Sequence, residues 1–396
     1  MKKLSSFYTG VLILLPILNI YGSFIPSIEI GTLILLILSV IFLFSGKSSG
    51  FGYDKMWILV LLVLLTCTII STQFVQLNSD YNFRYFARYL KIVVIVLVVC
   101  ALGKNFFNYE FAQKFLTKTS IVCSLFMFVQ YALFMVGVKI RGILSFIPAA
   151  VHGDDSVERV AEGLFRPSSF FIEPSNFAVY QLVFICYLLT HPNVEKRKQY
   201  LIITLIAILL STSGTGYVSV LVVIFASLLL GGSKKKYNWK SLIGGLLAAS
   251  LFFVLITNTS IGQQSIGRFL NDDGTLGIAA TGRIQSGADE LYFSLPTFYK
   301  WFGCGFGYRP DDYYFSSLYA ILYGDGILGL SVIILMIIYY YYHTSNFGKL
   351  LCLAFSVLFV GVGIFSFQCI GLYFCFISTE TYLYQKERIK NHVSIR

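Results

Sequence analysis

Apolar stretches close to the length of a membrane-spanning helix follow one another along this chain from Phe7 almost to its C-terminal end, and few charges interrupt them. A helix crossing a bilayer needs about 20 mainly apolar residues, and within lipid only helices and closed barrels satisfy their own backbone. Such runs cover 7–21, 28–45, 56–74, 86–102, 117–138, 170–190, 200–213, 215–230, 241–257, 316–342, 349–365 and 367–383. The predicted fold is therefore all-α, a polytopic membrane helix bundle of about 12 transmembrane helices, with 1–396 forming a single integral membrane domain. Charged side chains make up 12% of the 396 residues, against about 25% in a soluble globular domain. That excludes a soluble fold, and twelve spans using roughly 240 residues leave too little chain for a separate soluble catalytic domain. The run at 7–21 follows Met1-Lys2-Lys3 as a secretory signal does, yet no small-x-small site follows it. Pro16, Asn19 and the next run predict a retained first helix.

The formal net charge of +11 would suggest nucleic acid in a soluble protein. In a membrane chain it is first an orientation signal, and no nucleic-acid partner is expected. With a cytoplasmic N-terminus, the inner loops hold 19 of the 30 Lys and Arg residues and the outer side 11, so both termini are predicted to be cytoplasmic. Beneath that bias lies a second one: the inner 19 comprise 16 Lys and 3 Arg, the outer 11 comprise eight Arg and three Lys. Orientation does not require the exchange. Arg grips phosphate and carboxylate with a fixed bidentate fork, which suits an anionic ligand at the outer face. The plainer reading, that these Arg residues pair with lipid headgroups or with outer acids, stands beside it.

Two outer loops are long, 139–169 and 258–315, and long loops in a compact protein are usually functional. A third irregularity is the pair of runs around Ser211-Thr-Ser-Gly-Thr-Gly216. Fourteen residues from 200 to 213 span about 21 Å, short of the roughly 30 Å hydrocarbon layer. The turn should therefore lie at or below the outer surface, where protein or a water-filled cavity must satisfy its backbone; a cavity open to the outside is expected.

Metal and disulfide chemistry find little footing. Of eight cysteines only Cys304 is assigned outside the spans, so no external disulfide framework is expected. His152 is the one histidine assigned to the outer side, and no Cys/His cluster has zinc spacing. The pairs Asp154-Asp155, Asp272-Asp273 and Asp311-Asp312 match no cation-binding spacing, so neither a metal nor another cofactor is expected. Gly303-Cys-Gly-Phe-Gly307 lacks the spacing of a phosphate loop.

The sharpest cluster of reactive side chains is at 163–180. Pro174 suits the first position of a helix, which makes Glu173 its cap and sets Asn176 and Tyr180 one and two turns further along a similar face. Arg166 lies seven residues before Glu173, with its backbone restrained by Pro167. A guanidinium and a carboxylate at the mouth of an outer cavity suit a reaction that expels an anionic leaving group and removes a hydroxyl proton. A structural ion pair holding the loop on the bundle is the alternative. The second loop adds Arg268, Arg283, Asp289, Glu290, Lys300 and Arg309, and its part 291–315 is dense in aromatic residues suited to the membrane interface. Asp325, between Gly324 and Gly326 inside the following run, is an intramembrane carboxylate and a functional candidate, or else sits hydrated in a shallow helix break.

The order of runs, the Arg166-Pro-Ser-Ser-Phe-Phe-Ile-Glu-Pro-Ser175 approach to a helix, the Ser/Thr/Gly-broken hairpin, Thr281-Gly-Arg283, Phe302-Gly-Cys-Gly-Phe-Gly307 and Leu318-Tyr-Ala-Ile-Leu-Tyr-Gly-Asp-Gly-Ile-Leu-Gly329 together resemble the Wzy-type O-antigen and capsular polysaccharide polymerases. The likeness covers about 159–330 in motifs and the rest as architecture. It implies a multi-pass enzyme of the bacterial inner membrane, a glycosyltransferase joining undecaprenyl-pyrophosphate-linked oligosaccharide repeat units on the outer (periplasmic) side. Membrane lipid and a chain-length regulator protein are the other partners it implies. By the same resemblance Arg166 and Arg283 hold the pyrophosphate, with Arg309 and Arg268 supporting. Related O-antigen ligases carry Ser-Arg where this chain has Ser213-Gly214, and His-Asn where it has Phe315-Ser316. Their histidine is absent here, which leaves Glu173 as the first choice of base and His152 as the second. Asn176, Tyr180 and Asp325 complete the expected substrate contacts. A ligase using a lipid A core acceptor and a flippase of lipid-linked sugars are the competing readings; the flippase predicts repeats and mid-membrane charges.

Overall fold

The structure, a computed structural model, describes residues 2–23, 28–44, 55–74, 89–94, 96, 106–140, 142–144, 147, 165–230, 258, 287–308, 310 and 315–393. Its helices are α1 (Lys2–Leu18), α2 (Ile30–Phe44), α3 (Lys55–Phe74), α4 (Tyr109–Met135), α5 (Pro174–Thr190), α6 (Arg197–Leu210), α7 (Gly214–Leu230), α8 (Ala288–Ser294), α9 (Thr297–Phe302), α10 (Ser317–His343), α11 (Asn346–Gly361) and α12 (Phe367–Val393). Among the described residues there is no strand, only an isolated bridge between Gly22 and Glu29. Two helices, Tyr109–Met135 and Ser317–His343, are long and apolar enough to cross a membrane. Ten of the predicted runs coincide with helices; the run at 86–102 is described only in part, and that at 241–257 lies outside the described residues.

The chain divides into two compact units, Met1–Val40 with Phe106–Asp273, and Ile41–Asn105 with Gly274–Arg396. In the first, α4 packs on α1, α5 and α6, and α5 packs on α6 and α7. The helix α4 starts at Tyr109, ahead of the apolar run, because the Asn108 side chain accepts from Phe111 N–H at 3.1 Å and caps it. Its first turns carry Glu110, Lys114 and Lys118, which a helix can extend into the aqueous layer. The Asn108 N–H donates to Thr9 Oγ1 at 2.9 Å, which ties α1 to the start of α4. Where α1 turns into α2, the Asn19 side chain accepts from Thr32 N–H at 3.1 Å.

In the second unit α10 is central, packed on α3, α9, α11 and α12. Ser345 caps α11 through Gly348 N–H and donates to the Glu380 carboxylate at 2.5 Å, joining the α10–α11 turn to α12. Trp57 of α3 meets Phe374 of α12 edge to face at 4.8 Å.

Two helices carry apolar stripes on their outer faces as well as apolar packed faces. In α4 the packed face holds Ala112, Leu116 and Met127 with Ser120, Cys123, Ser124 and Gln130, while Val122, Leu125 and Val129 face out. In α7 the exposed stripe is Val218, Val222, Phe225 and Leu229, at helical spacing. Exposed aliphatic stripes of this kind suit an apolar surrounding.

Candidate functional site

Two places bring the predicted reactive residues into defined geometry, one in each unit. In the first unit the short hairpin forms, its first helix three residues earlier than the predicted 200–213: α6 has 14 residues and runs Arg197–Leu210, and α7 starts at Gly214. Of its turn, Ser211, Thr212 and Ser213 are buried and Gly214 and Thr215 half-buried, so water is not what satisfies the backbone of 211–213. Protein satisfies the backbone instead. Ser211 N–H returns to Ala207 O at 3.0 Å, Thr212 N–H to Leu209 O at 3.1 Å, and Ser213 Oγ accepts from Gly216 N–H at 3.3 Å.

Arg166 covers this turn. Its Nε donates to Thr212 Oγ1 at 3.0 Å, and the side chain is half-buried. Thr212 lies in the left-handed region with φ 52, a conformation that costs a β-branched residue about 1–3 kcal/mol and clusters at functional sites. Three residues after Arg166, Ser169 is also left-handed, with φ 55. It is held by Gln130 of α4, whose Oε1 accepts from Ser169 N–H at 2.8 Å, while Ser169 Oγ donates to Cys123 O at 2.8 Å. The Gln130 amide also donates to Ile140 O at 3.1 Å, so one side chain gathers both described ends of the first long loop. Replacing Gln130 with Leu leaves the buried Ser169 N–H without its acceptor, an expected loss of about 1–3 kcal/mol, visible as a lower thermal midpoint of the full chain in detergent.

Glu173 is the N-terminal cap residue of α5, as predicted, with extended backbone at φ −130 and ψ 150. Its carboxylate does not bond the helix amides. It is exposed and accepts from Ser175 Oγ at 2.9 Å. No ion pair joins it to Arg166 among the described residues, whereas the guanidinium is seated on the hairpin. Asn176 is half-buried one turn on. Tyr180 corrects the expectation of a substrate contact: it is fully buried, hydrogen-bonded to Thr119 at 2.7 Å and packed on Phe171. The face from 173 to 180 runs inward, because α5 descends into the packed unit and its second turn meets α4. Glu173 and Asn176 remain near solvent. His152, Arg268, Arg283 and Arg309 lie outside the described residues.

In the second unit the break foreseen near Asp325 is real. Gly326 has φ 68 and ψ −166 inside α10, which divides the helix into 317–325 and a longer half from 327. The break is not shallow and hydrated: Asp325 has 0% exposure. The segment 303–307 lies on it backbone to backbone, with Cys304 N–H donating to Tyr323 O and Gly305 N–H to Gly324 O, both at 2.8 Å. Ser71 of α3 meets the same segment from the other side, its one hydroxyl proton shared among Gly303 O at 2.8 Å, Phe302 O at 3.2 Å and Cys67 O of its own helix at 2.8 Å. Glycine is required at 303 and at 326 because each backbone touches the other: a Cβ on Gly303 would strike Gly324 O, and one on Gly326 would strike Trp301 O. Cys304, assigned to the exterior by the sequence, is buried against Ala288, Phe315 and Tyr323. Burial pushes its thiol up to about 11, a Tyr323 hydrogen bond opposing the rise. Of the aromatic segment, Tyr292 turns inward and donates to Lys300 O at 3.0 Å, while Phe293 and Trp301 are exposed as interfacial anchors would be.

Among the described residues no group of three or more His, Cys, Asp or Glu side chains is placed to share a metal ion. Sequence reasoning missed Gln130 and Thr212. Gln130 in the middle of an apolar run was a detectable signal, since a polar side chain there must find a partner in the protein. No protein-family description and no curated protein matches the chain.

Proposed function

We propose that the chain is a polysaccharide polymerase, a metal-independent glycosyltransferase that joins undecaprenyl-pyrophosphate-linked oligosaccharide repeat units at the outer face of the bacterial inner membrane, within a bundle of about 12 spans whose termini are both cytoplasmic. The observation that carries this reading is the Arg166 Nε–Thr212 Oγ1 bond of 3.0 Å, which fixes a cation of the first long loop on the broken hairpin. A guanidinium immobilised through Nε is pre-oriented, the condition under which Arg stabilises a departing phosphate without reorganisation.

In the reaction a hydroxyl of the new unit's terminal sugar attacks the anomeric carbon of the growing chain. The new C–O bond forms as the bond to pyrophosphate breaks, the bonding pair leaves with the pyrophosphate, and the hydroxyl proton passes to Glu173. The exposed Glu173 carboxylate at the head of α5 suits that task, with His152 as the second choice. Arg283, supported by Arg309 and Arg268, shares the pyrophosphate charge with Arg166. Asn176, half-buried beside Glu173, orients the acceptor.

Purified full-length chain in liposomes, supplied with radiolabelled lipid-linked repeat units alone, is expected to give a ladder of polymers. Product only when a lipid A core acceptor is added would establish a ligase. Transfer of the lipid-linked units between leaflets without any change in glycan length would establish a flippase.

A further inference from the structure

Two half-helices of α10 meet at Gly326, and the carboxyl group one residue before the break is sealed inside the second unit. Among the described residues neither oxygen of Asp325 has a hydrogen-bond partner. Its side chain lies over Gly329 one turn on, with α3 alongside: a Cβ added to Gly329 would meet Leu64 Cδ2 at 3.3 Å and Asp325 Cγ at 3.5 Å. The titratable groups that feel it are Cys67 from α3 and Tyr89, while the Cys304 thiol on the segment that covers the break packs on Ala288, Phe315 and Tyr323. Among the described residues of α8, α9, α11 and α12, no charged side chain comes within hydrogen-bonding distance of it.

A bare carboxylate in such surroundings costs far more to bury than a neutral acid. Something of unit positive charge must therefore accompany it, either a metal ion or a proton. A metal ion needs a cage of several oxygens, and the nearby oxygens are engaged. The carbonyls of Tyr323 and Gly324 accept from the 303–307 segment, and the single Ser71 proton is shared among the carbonyls of Gly303, Phe302 and Cys67. The Thr68 hydroxyl donates to Leu64 O at 2.8 Å and accepts from Phe306 N–H at 3.3 Å. Leu64 and Gly329, which lie beside the carboxyl, add no side-chain oxygen to a cage, and a proton needs none.

We propose that the break in α10 is a reversible proton site: Asp325 holds a proton while the 303–307 segment is docked on the break, and releases it to water when the segment lifts away. Discontinuous helices at membrane depth are where such sites occur in transport and exchange proteins, since an unwound backbone is tolerated only when protein or water covers it. Here the cover is the segment itself, held by hydrogen bonds to both α3 and α10 and free of any covalent lock. The proton site does not rest on the glycosyltransferase reading, because it is argued from the break in α10 and its backbone cover alone.

The sign of the pH dependence follows from linkage. Docking keeps the proton, whereas a hydrated aspartic acid ionises near pH 4, so above that value each added pH unit favours the open form by about tenfold. Cys304 reports the opening, because its thiol is buried only while the segment is docked.

Full-length protein in liposomes, labelled with a maleimide and read at the Cys304 peptide by mass spectrometry, tests the proposal between pH 6 and 8. Dividing the wild-type rate by that of Asp325→Asn cancels the thiol's own pH dependence, and the ratio is expected to rise by up to tenfold per pH unit. A flat ratio overturns the proposal. If Asp325→Asn does not fold, the wild-type chain with isotope-labelled aspartate decides: a protonated-carboxyl infrared band at pH 7 supports the proposal, and its absence overturns it. Replacing potassium by sodium at fixed pH is expected to leave labelling unchanged; a sodium-dependent rate would overturn the proton assignment in favour of a metal ion.

Discussion

Arg166→Ala is expected to lower polymer formation about 10²–10³-fold, the loss typical of one fixed donor to a departing oxyanion, with little effect on the folded fraction. The folding cost should be small because Arg166 is half-buried and contributes a polar side chain to a turn that keeps its own backbone bonds. Arg166→Lys keeps the charge and removes the fork, so activity should fall between wild type and alanine. Thr212→Gly is the sharper companion. It removes both the left-handed strain at φ 52 and the acceptor that orients Arg166. Thermal stability should therefore hold or rise slightly while turnover drops by up to about 10²-fold, as misplacement of a catalytic group does. Rates from purified lipid-linked units, beside thermal midpoints, separate the two effects. Unimpaired ladders from both Arg166→Ala and Arg283→Ala would remove the polymerase proposal.

The largest stability effect is expected at Gly326. Valine there combines a β-branched residue at φ 68 with a Cβ driven against Trp301 O, and the 303–307 segment can no longer lie on α10. Strain of about 1–3 kcal/mol adds to overpacking of about 1–3 kcal/mol, so a total of about 2–6 kcal/mol should appear as a marked fall in the thermal midpoint of the second unit. Gly363→Ala is the control. An added Cβ there meets nothing within 4 Å, so its stability should stay within about 0.5 kcal/mol of wild type. Equal losses at the two positions would refute the backbone docking.

Much of the helical plan was legible because its cause is local. A run of apolar side chains must bury or face lipid whatever its neighbours do, and Pro174 with Glu173 before it marks a helix start by the geometry of the first turn alone. That α6 is short was readable for the same reason, although it lies three residues earlier than the apolar run. Tyr180 was misread because exposure is not a local property: it is buried by α4, a segment distant in sequence.

By itself, then, the sequence determined that this chain is helical and apolar throughout, and it located the interruptions at Ser211–Gly216 and at Gly324-Asp-Gly326, since composition and helix-breaking residues act within a turn or two. What covers those interruptions was decided only by tertiary structure. Arg166 on Thr212, and Gly303–Gly305 on Tyr323–Gly324, are contacts between backbone and polar groups far apart in the chain, where hydrogen-bonding capacity is the same at nearly every residue. Which pairs meet depends on how closely two backbones can approach, and that is set by packing and not by residue type.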